Sequence, residues 1–145
     1  MSQINPNKAI QNGWFKPTKF SKVQQIGIDV SLKTGSLIEK SVLKLLPGCS
    51  YNVEINEGVD LPSNVYAELA IRSSWSRKGI FQSSGIYDPG FHGTCGLTLY
   101  NLSDKPIEIP VNERIAQMIF FEADSASTYD GHYNHTDSTE SQYKE

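Results

Sequence analysis

The stretch Val23-Gln24-Gln25-Ile26-Gly27-Ile28-Asp29-Val30-Ser31-Leu32 decides the fold class. Ile26, Ile28, Val30 and Leu32 alternate with small or polar residues. That period of two marks a strand with one face in a core and one face toward water. Reading outward toward the C-terminus, the same signature recurs. Tyr51, Val53 and Ile55 alternate, as do Val65 to Ile71, and Leu97 to Leu99, Ile107 to Ile109 and Ile115 to Phe121 continue the pattern. Ser36-Leu37-Ile38 and Val42 to Leu46 are further short apolar runs, and Pro47-Gly48 reads as a turn. Many short strands separated by Gly, Pro, Asn and Asp predict an all-β sandwich or barrel. Toward the N-terminus, Lys8-Ala9-Ile10 predicts one short helix stopped by Gly13. Ser73 to Gly79 lacks β alternation and predicts one or two helical turns capped by Ser73 or Ser74.

The 145 residues suit one domain, predicted over 1–124, with a polar, flexible C-terminal tail over 125–145. A formal net charge of -3 argues against a duplex nucleic-acid binder, which needs a basic face. It leaves room for a phosphorylated small molecule, which needs only a few local cations. No apolar run approaches the roughly 20 residues of a membrane span, and the polar N-terminus lacks a signal-peptide core. The two cysteines, Cys49 and Cys95, form no zinc motif and no disulfide framework, so a reducing, cytoplasmic setting is expected.

Three segments carry chemistry. Arg72-Ser73-Ser74 falls where a strand gives way to a helical turn, so guanidinium, hydroxyl and backbone N–H groups are available to phosphate oxygens, with Arg77 one turn later. A capped surface turn with solvated arginines would read the same way. Gly85-Ile86-Tyr87-Asp88-Pro89-Gly90-Phe91-His92-Gly93 is a turn by composition. Gly85 and Gly93 would admit a flat ligand, Phe91 could pack on a sugar and Asp88 could activate a water. Gln117, in an apolar run, either points outward or serves a phosphate oxygen or a water. His132 and His135 lack further metal ligands, and a Ser83, Asp88, His92 triad lacks a buried orienting acid.

In this order the segments resemble the trimeric dUTPase and dCTP deaminase superfamily. Gln25-Ile26-Gly27-Ile28-Asp29-Val30-Ser31-Leu32 looks like the first motif, Arg72-Ser73-Ser74 with Arg77 the second, Gly85 to Gly93 the third, and Arg114-Ile115-Ala116-Gln117-Met118-Ile119 the fourth. The resemblance implies a distorted β-barrel or jelly-roll-like dUTPase fold with one or two short helices, assembled as a homotrimer with sites at subunit interfaces. It implies a deoxyuridine nucleotide substrate and Mg²⁺, with Asp29 holding the metal through water or fixing a neighbouring charge. It places Asp88 on the catalytic water and the sugar 3′-hydroxyl, Arg72, Ser73, Ser74 and Gln117 on the phosphates, Phe91 on the deoxyribose, and the hairpin backbone on the uracil edge.

Two departures choose the branch. The spellings Arg-Ser-Ser-x-x-Arg and Asp-Pro-Gly-aromatic-x-Gly are similar to the deaminases, which use no zinc and rely on a glutamate in the strand after the hairpin. That position is Thr98 here, and no Asp or Glu lies between Thr94 and Asn101. A threonine hydroxyl is no general base near neutral pH. The fifth dUTPase motif, Gly-rich with an arginine and an aromatic, is also missing. The tail around Tyr129 to Thr139 resembles the tyrosine-bearing deaminase tail, with Tyr133 near the base and Lys144 near a phosphate. The expectation is therefore a deaminase-like dUTP diphosphatase. An active dCTP deaminase, a dCTP pyrophosphohydrolase and a non-catalytic nucleotide-binding or regulatory protein are the alternatives.

Overall fold

The computed structural model describes residues 2–35, 38–124 and 131. In chain order the elements are α1 (Pro6–Gln11), β1 (Phe15–Lys16), β2 (Lys22–Val23), β3 (Ile28–Ser31), β4 (Val42–Leu45), β5 (Ser50–Asp60), β6 (Val65–Ile71), α2 (Ser73–Ser76), β7 (Ile80–Ser83), β8 (His92–Asn101), β9 (Ile107–Pro110) and β10 (Arg114–Glu122). Two four-stranded antiparallel sheets, ordered β1-β5-β8-β7 and β2-β3-β10-β6, form a jelly-roll-like all-β fold with a β4-β9 ribbon beside them. The sheets stay separate rather than closing into a barrel. Part of the predicted Ser36-Leu37-Ile38 run and nearly all of the C-terminal tail lie outside the described residues, including Tyr133, Lys144, His132 and His135.

The strand signals translate directly into burial. On β5 Val53, Ile55 and Val59 point inward, and on β8 Cys95, Leu97 and Leu99 do so. On β10 Met118 and Phe120 meet them from the other sheet, and the Phe15 and Phe120 rings cross edge-to-face at 6.0 Å between the layers. Burying each such side chain contributes about 1.5–3 kcal/mol. The helix predicted at Lys8 begins at Pro6, whose fixed φ suits a first helical turn, with Asn5 accepting from the Asn7 N–H as cap. Gly13 ends it at φ 74°.

Two expectations need correction. Asn5 caps α1 with its side chain, but α2 has no such cap: Arg72 occupies the N-cap position and neither Ser73 nor Ser74 does. The predicted half-buried strand at Val23–Leu32 is buried on both faces from Ile28 to Ser31. Asp29 is only 1% exposed and Ser31 is fully buried. Partners for that polar face come from segments distant in sequence. Ile26, by contrast, is half-exposed at the tight turn closed by Gln24 N–H to Gly27 O at 2.8 Å.

Candidate active site

β10 makes one corner of the site through an irregularity in its ladder. Arg114 pairs with Ser31 and Ala116 with Val30, so Ile115 is an extra residue in the register. Side chains three apart on a regular strand face opposite ways, and one inserted residue reverses that phase. The bulge therefore puts Arg114 and Gln117 on the same sheet face, where Gln117 stands directly across from Asp29. The indole of Trp75 locks α2 onto this bulge by donating from Nε1 to the Arg114 carbonyl at 3.0 Å. Arg72 then hangs at the end of β6, its N–H bonded to the Ile115 carbonyl.

Three donors converge on one carboxylate oxygen there. Asp29 Oδ2 accepts from Arg114 Nη1 at 2.8 Å and from Gln24 Nε2 at 2.8 Å, and the Arg72 Nε lies 3.5 Å away. Both guanidiniums keep somewhat under a third of their surface in solvent. Two cations share one buried anion, so the corner carries a surplus positive charge facing water, which suits a polyphosphate. Of the two tasks expected of Asp29, the geometry gives it the fixing of neighbouring charge. Arg114, not singled out beforehand, is the closer of its two arginines. The only available signal was its place in the fourth motif, three residues before Gln117.

Gln117 is partly buried, and its Oε1 makes no hydrogen bond among the described residues. It lies against Gly27, where a Cβ would come within 2.6 Å of that oxygen and 2.5 Å of the Met118 carbonyl. The glycine in the first motif is thus required first by the backbone of the fourth, at the Met118 carbonyl, with Gln117 packed beside it. Ser73, Ser74 and Arg77 are exposed around α2, beside this corner.

Asp88 lies elsewhere in the subunit. Asp88-Pro89-Gly90-Phe91 forms a turn closed by Phe91 N–H to Asp88 O at 3.0 Å, with Gly90 at φ 86° in the position where a type II turn needs glycine. The turn docks through Gly90 N–H to the Pro62 carbonyl, and its neighbour Tyr87 forms an antiparallel bridge with Ala67 on β6. From Ala67 to Arg72 is five residues of strand, roughly 17 Å. One subunit therefore separates the exposed Asp88 from the Arg72–Ser74 donors by the length of β6.

Phe91 does not sit at the hairpin tip as expected. It is 5% exposed within the core, 5.5 Å from the Tyr87 ring, because the turn folds its last residue inward against Leu61. Gly85 has open space where a Cβ would stand, so the fold itself makes no demand for glycine there. Thr98 lies on the outer face of β8 and donates to Asn52 Oδ1 at 2.7 Å. Its register neighbours are Asn52 on β5 and Ser83 on β7, and neither is an acid. His92 Nδ1 lies 3.2 Å from the Gly90 carbonyl.

The residues fit Mg²⁺ only indirectly. Among the described residues no group of three or more His, Cys, Asp or Glu could hold a metal, and the Asp29 carboxylate is already committed to two arginines. A cavity of about 670 Å³ opens between β1, β5 and β8, with Glu57 in its lining and His92 and Gly93, the end of the third motif, at its edge. No helix among the described residues is long and apolar enough to cross a membrane.

A family described as dCTP deaminase-like matches residues 11–123. A dCTP deaminase of Pyrococcus horikoshii is 33% identical over 128 residues, covering 81% of this chain and 82% of that protein. A probable deoxyuridine 5'-triphosphate nucleotidohydrolase of Methanopyrus kandleri is 30% identical over 95 residues, 66% of this chain and 62% of that protein. Among solved structures the native dUTPase of EIAV superposes with a TM-score of 0.64 at 17% identity, covering 84% of this chain and 99% of that one, a likeness of fold.

Proposed function

The chain belongs to the dCTP deaminase-like family, and from that premise we propose that it hydrolyses dUTP to dUMP and pyrophosphate. The observation that carries this reading is the Thr98 hydroxyl bound to Asn52 where a deaminase would hold its glutamate. A hydroxyl donating to an amide oxygen cannot take a proton from the water that would attack cytosine C4. The phosphate-facing charge, by contrast, is intact.

In the proposed reaction a water attacks the α-phosphorus in line with the leaving pyrophosphate, and positioning and charge neutralisation supply the catalysis. Asp88 orients the water and takes its proton. Arg72, Ser73, Ser74, Arg77 and Gln117 stabilise charge growing on the phosphate oxygens. Asp29 acts one step back by holding the Arg72 guanidinium in place, and Arg114 fixes Asp29. Mg²⁺ carried by the nucleotide would supply charge neutralisation at the phosphates, with Asp29 the residue that would reach it through water. The roughly 17 Å of strand from Ala67, where the arm carrying Asp88 docks, to Arg72 supports sites completed between copies, as in a homotrimer. The setting proposed is the cytoplasm.

Asp88→Asn keeps the shape of the turn and removes the base. It is expected to bind Mg²⁺·dUTP and to lose about 10²–10⁴-fold in turnover. Hydrolysis within a few fold of the parent would overturn the role given to Asp88. Chromatography of products from dUTP and dCTP decides the base: dUMP from dUTP, with dCTP untouched, is the expected result, and dCMP from dCTP would keep the hydrolysis and change the base.

One observation favours a second reading, deamination of dCTP. Glu54 faces Gly96 across the β5–β8 ladder, two pairs along from Asn52 and Thr98 and so on the same sheet face, and its side chain is 13% exposed beside Lys33. Diagonal neighbours on a sheet face lie about 7–8 Å apart. Ammonia released from dCTP, and lost in Glu54→Gln, would establish that reading.

A further inference from the structure

The β7–β8 hairpin parts after the Ser83–Thr98 pair, and its arms do not resume pairing with each other. The departing arm instead bridges to β6 at Tyr87 and Ala67. A strand residue in an antiparallel ladder offers its N–H and C=O side by side to a partner residue. Where the arms part, Gly96 on β8 has no such partner on β7, and the Tyr87 phenol takes both of its groups. The hydroxyl donates to the Gly96 carbonyl at 2.6 Å and accepts from the Gly96 N–H at 3.0 Å. Residue 87 does not need this hydroxyl to stay in place. Its own N–H and C=O are both bonded to Ala67 at 3.0 Å, and its ring packs against Phe91.

We propose that the Tyr87 hydroxyl is a placeholder on the base-reading edge of Gly96, and that a pyrimidine displaces it on binding. This rests on the reading above, in which the hairpin backbone recognises the base. The argument is one of chemical complementarity. A pyrimidine carries a donor beside an acceptor on one edge, the pattern that an adjacent N–H and C=O can satisfy. Glycine at position 96 leaves that pair unshielded by any side chain. A half-buried backbone pair still needs partners, and the phenol supplies them when no base is bound. Binding then exchanges the two bonds to Gly96 for two, and part of the nucleotide's affinity is spent on moving aside the hydroxyl, which also bonds the Cys95 thiol.

Tyr87→Phe removes the hydroxyl and leaves the ring and the Ala67 bridge. Calorimetric titration with Mg²⁺ and the non-hydrolysable α,β-imido analogue of dUTP is expected to show binding about tenfold tighter than in the parent, from removal of a competing pair of bonds. The steady-state rate at saturating dUTP is expected to be unchanged, and the Gly96 amide signal in NMR should move on binding in both proteins. Equal or weaker affinity in Tyr87→Phe would overturn the proposal, and weaker affinity with a lower saturated rate would identify the phenol as a positioning clasp for Asp88. If neither protein binds the dUTP analogue but Tyr87→Phe binds the dCTP analogue more tightly than the parent, the placeholder stands and the uracil assignment falls. If neither protein binds either analogue, both fall.

Discussion

Asp29 and Glu57 are both 1% exposed acids, yet they are held by opposite means. Asp29 is neutralised by charge, with Arg114 and Arg72 closing on one of its oxygens. Glu57 is held by groups that carry no charge. It accepts from the Ser21 hydroxyl at 2.7 Å, the Ser31 N–H at 2.9 Å, the Thr18 hydroxyl at 3.1 Å and the Ser31 hydroxyl at 3.1 Å. Asn56 extends that network by donating to the Ser31 hydroxyl and to Asn112 Oδ1. The difference separates two uses of a buried carboxylate. Neutral donors satisfy Glu57 completely and fasten the 18–21 loop to β3 and β5. Paired arginines satisfy Asp29 and leave cationic surface over, which is what a ligand can use.

Breaking each arrangement should give distinct results. Asp29→Ala leaves two guanidiniums facing each other without a counter-ion. Removing one member of a buried ion group costs about 3–5 kcal/mol, and the partial exposure of both arginines puts this case near the lower figure, about 3 kcal/mol. Denaturant midpoints should show that loss, and dUTP turnover should fall with it because Arg72 loses its anchor. Glu57→Gln places amide hydrogens where donors already point, for a cost of about 2 kcal/mol. Its dUTP affinity should match the parent once folded; a large loss of affinity would mean that the two acids are not separable. Thr18→Ala removes one of several bonds to Glu57 and should cost about 1 kcal/mol, with turnover unchanged.

The cysteines make a lesser contrast of the same kind. Cys49 is exposed, whereas burial pushes the Cys95 thiol far above its ordinary range, against the opposing effect of its hydrogen bond with Tyr87. Burial therefore favours the neutral thiol, the less reactive form, at Cys95.

The strands were legible because an apolar alternation answers a local question: which face of a strand meets a core. The Val65 to Ile71 alternation has the bounds of β6, whereas Tyr51 to Ile55, Leu97 to Leu99 and Ile115 to Phe121 mark only parts of β5, β8 and β10. The short strands β1 and β2 escaped notice because two residues give no period to detect. Phe91 was misplaced because composition identifies a turn without saying which side of it faces the core. The cap of α2 was misassigned for a similar reason, since a serine's capping role depends on backbone angles that its identity leaves open.

The all-β class, the order of the four motifs and the lack of a carboxylate at Thr98 are properties of residue type and spacing along the chain. That Asp29 is a counter-ion, that Arg114 and Gln117 share a face, and that the arm carrying Asp88 docks at Ala67, five residues before Arg72, are properties of the folded molecule. Asp29 and Arg114 are 85 positions apart, and a one-residue bulge sets which way the side chains of β10 point. Such facts depend on register between distant strands, and register is fixed by packing of the whole core rather than by any local stretch of sequence.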